Sequence, residues 1–337
     1  MANGGFRLGR WLFVVLAFCA FAGPVWANEA WQLRTPEQWL DLMDRAFADL
    51  DYRGVFSFYD GDDLTTMELT HAVRDGVEHE RLVHLDGEVR EIIRKGDEVA
   101  CIVHPGDDLL ELESSIPAGP FARAFTRSFD GLTYYQVTVN GPDRIASRPT
   151  VRVAIVPRDE DRYGYRLWLD RDNGLLLRSE MVDNKGQRLE IFQFSTIDFA
   201  GPIADADLAP PTSEAALVSH LTLENDEPIH TASDRNWEAS WVPDGFAMSA
   251  WDVRHTPSTL KSVNTLMYTD GLAAFSVFIE DMPDAGAGNL VSRNGATVAV
   301  TQVVQGHAES DHLVTVVGEL PTKTARRVAR SIRPVTR

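Results

Sequence analysis

The side chains of this 337-residue chain that could do chemistry are numerous, but their spacing organises none of them into a reactive set. His79 and His84, like His307 and His312, stand five apart. Odd spacing puts the members of each pair on opposite faces of a strand, and five is not a one-turn spacing of a helix, so neither pair can chelate a metal locally. No Gly-x-Ser-x-Gly nucleophile elbow occurs, which withdraws support from acyl transfer without excluding a dispersed triad. Asp170-Arg171-Asp172-Asn173-Gly174 begins like a calcium loop but lacks the sixth-position glycine and the distal bidentate Glu, so it reads as a turn. Ala285-Gly286-Ala287-Gly288 has no third glycine and opens no helix, and reads as a loop rather than a dinucleotide fingerprint. Among 50 acidic residues, any two chosen as an acid/base pair would be arbitrary. These patterns imply a chain with no catalytic set, no metal and no cofactor; an exported hydrolase with dispersed residues is the enzymatic rival.

Function must then lie in surfaces and cavities, and the elements that shape them are readable. Residues 167 to 194, LWLDRDNGLLLRSEMVDNKGQRLEIFQF, run strand, turn, strand, turn, strand. Asp172-Asn173-Gly174 and Asp183-Asn184-Lys185-Gly186 supply side chains that bond their own backbone and glycines that accept positive φ. Tyr163, Tyr165, Leu167 and Leu169 alternate with Gly164, Arg166, Trp168 and Asp170, so one face is apolar and the other mostly polar. Further strands are expected over 53–59, 65–72, 81–85, 89–94, 98–103, 134–140 and 150–156, with a short helix near Phe121 to Phe125.

One helix is available to cover the apolar face. Thr35-Pro36-Glu37-Gln38 has a capping Thr, Pro in the first turn and Gln three residues on, followed by Trp39, Met43, Ala46, Phe47 and Leu50 at helical spacing. The fold class is therefore mainly β, or α+β: a large, curved antiparallel sheet, like a half-open barrel, with covering helices. Phe56, Phe58, Ile92, Tyr135, Trp168 and Phe192 are bulky groups on neighbouring strands. They either form plain core against the helix or line a lipid-sized hollow.

From 203 to 236 the periodicity dissolves into Pro210-Pro211, small polar residues and the acidic run 224–227, which suits a linker with at most a short helix over Glu214 to Leu221. Strand signals resume over 246–253, 262–269, 273–280, 297–304 and 313–318, and a helix begins near Pro321 with Ala325, Val328, Ala329 and Ile332 on one face. The expected organisation is a large domain over 28–202, a linker over 203–236 and a small α+β domain over 237–337.

Residues 1–27 precede it as an export signal: Arg7 and Arg10, an apolar run from Trp11 to Phe21, then Val25-Trp26-Ala27. That run is too short to span a bilayer, which takes about 20 residues, and Phe18 is too bulky for a lipoprotein site at Cys19. The periplasm is the expected location. Taking 27 from 337 leaves 310 residues, and since the signal holds two arginines and no acid, the net charge moves from −18 to −20. A body this acidic disfavours nucleic acid and anionic membrane as surface partners. Cys101 is then the sole remaining cysteine, expected as a buried structural thiol in the apolar run 99–103.

Several stretches carry a resemblance to a known family. WLDLMDRAFADLDYRGVFSFY (39–59), HERLVHLDGEVREIIRKGDEV (79–99), the meander above, SWVPDGF (240–246), MYTDGLAAFSVFIE (267–280) and VTVVGELPTKTARRVARSI (314–332) together resemble the RseB/MucB family. These are periplasmic negative regulators of an envelope-stress sigma factor. The resemblance spans nearly the whole exported chain, with departures at 106–129, in the linker and at 283–294.

It implies a large domain similar to LolA/LolB-type lipoprotein carriers, joined to a smaller one. It also implies a partner, the periplasmic part of a single-pass anti-sigma factor of the RseA/MucA kind, shielded from the first regulated protease. Acyl lipid or lipopolysaccharide would be the releasing signal. Within the matching motifs Trp241, Tyr268, Asp270, Phe275 and Leu320 are the candidate partner contacts, and Arg326 and Arg330, with Lys323 and Arg327, form a basic strip able to meet an acidic segment. A lipid or lipoprotein carrier without a signalling role is the alternative.

Overall fold

The computed structural model describes residues 33–87, 90–96, 98–103, 129–209, 217–222, 236–255, 262–282, 288–305 and 311–335. The export signal, the expected helix at 121–125, the acidic run 224–227, His307 and most of the loop at 285–288 lie outside them.

Helix α1, Pro36–Asp49, starts as its sequence requires: the Gln38 amide donates to Thr35 Oγ1 at 3.3 Å and the Thr35 amide to Gln38 Oε1 at 2.9 Å. This reciprocal cap satisfies two of the amides a helix start leaves unpaired. Trp39, Leu40, Met43, Ala46 and Phe47 are buried along one side.

The large sheet is antiparallel and has eleven strands. Two meanders, β1 Tyr52–Tyr59, β2 Leu64–Arg74, β3 Val77–His84, β4 Glu91–Lys95, β5 Glu98–Val103 and then β6 Tyr135–Ile145, β7 Arg148–Pro157, β8 Gly164–Asp170, β9 Leu176–Val182, β10 Arg188–Asp198, join where β1 pairs with β10. With β11, Leu217–Thr222, at one edge, the order β11-β5-β4-β3-β2-β1-β10-β9-β8-β7-β6 does not close on itself. At the join only glycine fits position 54, since a Cβ there would lie 2.5 Å from the Thr196 carbonyl oxygen.

Strand β11, Leu217–Thr222, corrects the expectation for the linker. Where a helix was read over 214–221, this segment pairs with β5 at the sheet edge. Leu217, Val218 and Leu221 give a short β-prone run whose backbone groups an open edge strand can satisfy, and that tertiary offer outweighs local propensity. A one-turn helix, α2 (Asp205–Leu208), precedes it. Cys101 lies on β5 as expected, with its side chain outside the described residues.

The small domain holds a six-stranded sheet in the order β13-β14-β15-β18-β17-β16. Its strands are β13 Ala247–His255, β14 Ser262–Thr269, β15 Ala274–Asp281, β16 Leu290–Asn294, β17 Thr297–Gln305 and β18 Asp311–Gly318, and short strands β12 Trp237–Ala239 and β19 Ile332–Pro334 pair separately. Helix α3, Thr322–Ser331, buries Ala325, Val328 and Ala329 against β17 and β18. Strands β12, β16 and β19 had no sequence reading: two are three residues long, and β16 is exposed throughout and so lacks alternation.

Candidate ligand hollow and domain seam

The two faces of the large sheet follow from register. Phe192 stands opposite Ser179, Ser179 opposite Leu167 and Leu167 opposite Val153, so these share a face. Phe56 pairs with Phe194 and Phe58 with Phe192 on that same face. The Phe56 and Phe192 rings lie 4.9 Å apart, and Phe194 meets both edge-on at 5.9 and 5.2 Å. Ile92 joins through the row Ile92, Leu82, Leu69 and Gly54.

These groups and the apolar side of α1 form one core cluster. Phe56 and Phe192 are sealed within it, at 0% and 1% exposure, and act as core in this structure. Phe58 and Ile92 are only partly buried, so among the described residues they mark where this face stays accessible.

Trp168 is a correction. Its row is Arg152, Trp168, Arg178 and Gln193, on the opposite face of the sheet. It cannot line a hollow with Phe56, because a strand sends successive side chains to opposite sides. There its indole Nε1 donates to Asp143 Oδ2 at 2.9 Å, and the Arg178 guanidinium lies 4.8 Å over its ring.

Tyr135 also has a different place. Its hydroxyl donates to Asp270 Oδ2 at 2.8 Å, crossing from the large domain to the small one. Burial, and then the Asp270 charge, push its phenol pKa upward, so it remains a donor. Arg162 reaches the same oxygen through Nη1 at 2.5 Å, and both charged side chains are fully buried. Asp270 spends its other oxygen on its own turn, accepting from the amides of Leu272 at 2.9 Å and Ala273 at 2.7 Å. The seam continues with Tyr163 Oη donating to the Leu320 carbonyl at 2.9 Å, Thr324 Oγ1 donating to Asp161 at 2.8 Å and the Ala296 amide donating to Glu190 Oε1 at 3.1 Å. Leu272 and Ala296 of the small domain belong to the large domain's core cluster.

The residues expected to face a partner therefore divide. Asp270 and Leu320 belong to the seam, and Phe275 and Tyr268 stack at 5.1 Å inside the small core, so none of the four presents a free surface. Motif residues with aromatic or acidic side chains look alike in sequence whether they meet another chain or the other half of their own. Trp241 is partly buried with the Arg327 guanidinium 3.6 Å over its ring, while Arg326 and Arg330 are exposed on α3.

One cluster had no sequence signal beyond hairpin register. His71, Glu78 and Glu80 bring ligand atoms within 4.8 Å of one another, because the β2–β3 hairpin pairs His71 with Glu80. His71 Nδ1 lies 2.9 Å from the Leu50 carbonyl, and burial lowers the pKa of the ring. Arg94 already binds both carboxylates, Glu78 at 2.5 Å and Glu80 at 3.0 Å, so a guanidinium stands where a metal would.

Residues 35–212 match the model of the MucB/RseB N-terminal domain, and residues 231–333 that of the C-terminal domain. The chain belongs to the MucB/RseB family. It is 35% identical to the sigma factor AlgU regulatory protein MucB of Pseudomonas aeruginosa, over 93% of this chain and 95% of that one. It is 29% identical to the sigma-E factor regulatory protein RseB of Haemophilus influenzae, over 88% and 90% of the two chains.

Among solved structures, the P. aeruginosa MucA/MucB complex superposes with a TM-score of 0.73 at 33% identity, covering 90% of this chain and all but 1% of that chain. A crystal structure of MucB gives 0.63 at 31% identity, covering 89% and 98%. MucB/RseB relatives are regulatory proteins rather than enzymes. No helix among the described residues is long and apolar enough to cross a membrane.

Proposed function

We propose that this MucB/RseB chain is a periplasmic regulator that binds the periplasmic region of a membrane anti-sigma factor, shields it from regulated proteolysis and lets it go when an acyl-bearing lipid or lipopolysaccharide enters the large domain. The observation that carries the reading is the match of both domains to proteins named as sigma factor regulators, one of them solved together with MucA. The seam gives the reading a physical route. Strands carrying the apolar face and strands carrying the small domain's turns share one core, so a ligand that separates Phe58 from its neighbours acts on the same packing that holds Leu272 and Ala296.

The energies are adequate. Moving a binding equilibrium from about 99:1 to 1:99 takes about 5.5 kcal/mol of differential affinity, and each buried methylene offers about 0.8 kcal/mol, so one acyl tail suffices before ordering costs. Exposed Arg326 and Arg330, with Lys323 and Arg327 on the same helix, offer a cationic surface to an acidic stretch of the partner.

The test is capture of the membrane anti-sigma protein from envelope extract, with and without added acyl lipid. Wild-type protein should hold the partner and release it on lipid addition. Phe58→Asp should hold the partner and ignore the lipid. Equal loss of both functions in that variant, or lipid binding with no captured partner, would defeat the reading and favour simple lipid carriage.

A further inference from the structure

The outer face of the large sheet carries a groove of about 310 Å³ that the regulatory reading does not use, lined by Asn140, Arg152, Arg166, Trp168, Glu180 and Arg188. Register builds it. Arg152, Trp168 and Arg178 form one cross-strand row, and Arg166 and Glu180 stand opposite each other in the next.

Glu180 is the buried acid at its floor, 4% exposed, and three guanidinium groups converge on it: Arg166 Nη1 at 3.2 Å, Arg188 Nη1 at 3.6 Å, and Arg178 in a direct hydrogen bond. Arg178 is also held by Gln193 Oε1 at 2.6 Å. Across the groove Arg152 donates to the Asn140 carbonyl at 3.0 Å and stands 3.9 Å from Asp143. Four guanidinium groups thus face two carboxylates, an excess of two positive charges in a chain whose net charge is −18.

That excess sits at the rim. The side chains of Arg152, Arg166 and Arg188 are 45%, 46% and 55% exposed, whereas Arg178 is only 21% exposed and Glu180 is buried. A guanidinium fork matches the oxygens of a phosphate or carboxylate two at a time. A phosphate monoester carries about −1.5 to −2 charges near neutral pH, which equals the excess. The volume is at the lower end of small-ligand sites, of the order of 300 Å³, and so suits a compact group rather than a folded chain.

We propose that this groove binds a doubly charged phosphate group, carried by a small soluble molecule or by a lipid headgroup. Glu180 and Arg178 fix the floor, and Arg152, Arg166 and Arg188 contact the ligand. The site lies on the face opposite Phe58.

The experiment is calorimetric titration of the purified protein at low ionic strength with inorganic phosphate, glucose 6-phosphate, and vesicles of phosphatidic acid or phosphatidylcholine, with succinate and an aspartate-rich peptide alongside. Saturable binding of phosphate and glucose 6-phosphate assigns a soluble ligand. Binding of phosphatidic acid vesicles alone, with phosphatidylcholine inert, assigns a headgroup. In either case Arg166→Gln/Arg188→Gln should weaken binding at least about tenfold, because each loses charge-assisted hydrogen bonds, while Arg333→Gln on the small domain leaves it unchanged. Arg152→Gln, which disturbs only a carbonyl and a distant carboxylate, serves if the double variant misfolds, and should weaken binding several-fold. The proposal is overturned if no phosphate ligand binds, if the groove variants bind as wild type does, or if succinate or the peptide binds and phosphate does not.

Discussion

Arg162 of the large domain and Asp270 of the small domain are joined by a 2.5 Å ion pair with neither side chain reaching solvent. Tyr135 donates to the same carboxylate and the Asp244 carbonyl accepts from the same guanidinium, so the pair is hydrogen-bonded on both sides as a buried pair must be. Asp159 also pairs with Arg162, at 3.0 Å, so removing Asp270 leaves the guanidinium one carboxylate, whereas removing Arg162 strands the buried Asp270 charge. Arg162→Met should therefore cost about 3–5 kcal/mol, measured by urea denaturation, and Arg162→Met/Asp270→Leu should recover part of it. Stability of the single variant within about 1 kcal/mol of wild type would contradict a seam held by this pair.

Glu190 makes the seam sensitive to pH. Burial, then the neighbouring Glu319 carboxylate and more weakly Asp60, push its pKa from 4.5 to about 7, against the favourable bond from the Ala296 amide. A carboxyl with a folded pKa above its unfolded one binds its proton more tightly in the native state, so its contribution to stability falls as pH rises through about 4.5 to 7. The loss is on the order of 1–3 kcal/mol. Glu190→Gln should flatten that part of the stability profile and raise stability above neutrality; an unchanged slope in denaturant titrations across the window would refute the assignment.

The turn between β16 and β17 abuts the large domain so closely that position 295 admits only glycine. Its φ is +54°, and a Cβ would sit 1.7 Å from the Asp60 carbonyl oxygen, a backbone atom that cannot swing aside. Gly295→Ala should cost about 2 kcal/mol or more. Gly76, at φ +78° with nothing within 4 Å, should cost only the left-handed penalty of about 1–2 kcal/mol when changed to Ala. Thermal melting of the two variants checks the difference, and equal shifts would show that the seam tolerates opening at no cost.

The aromatic floor separates sealed from accessible positions. Phe192→Ala, at a fully buried ring, should cost about 3–5 kcal/mol, and Phe58→Ala, half-buried beside it, clearly less. Denaturant midpoints measured side by side test this. A small cost at Phe192 would mean that its ring faces a pre-formed void.

Much of the architecture could be read from local pattern. The helix over 36–49 is announced by Thr35 and Gln38, and strands such as 98–103 and 262–269 coincide with their sequence reading because alternation and turn residues are short-range signals. The site is less legible. Phe56, Phe58, Ile92 and Phe192 do share a face, whereas bulk alone groups Trp168 with them although its own alternation with Leu167 and Leu169 places it outside. The stretch 214–221 reads locally as a short helix, whereas 217–222 is a strand whose role is set by β5, more than a hundred residues away in the chain.

Sequence by itself determined most of the element types, the two-part organisation and the family, since caps, alternation, turns and motifs are properties of neighbouring residues. Tertiary structure alone decided that Tyr135, Asp270 and Leu320 close a seam and that Arg152, Arg166 and Arg188 converge on one groove. Burial and charge pairing depend on which distant strands come into register. Nothing local to Arg162 or Asp270, 108 residues apart, records that each is the other's counter-ion.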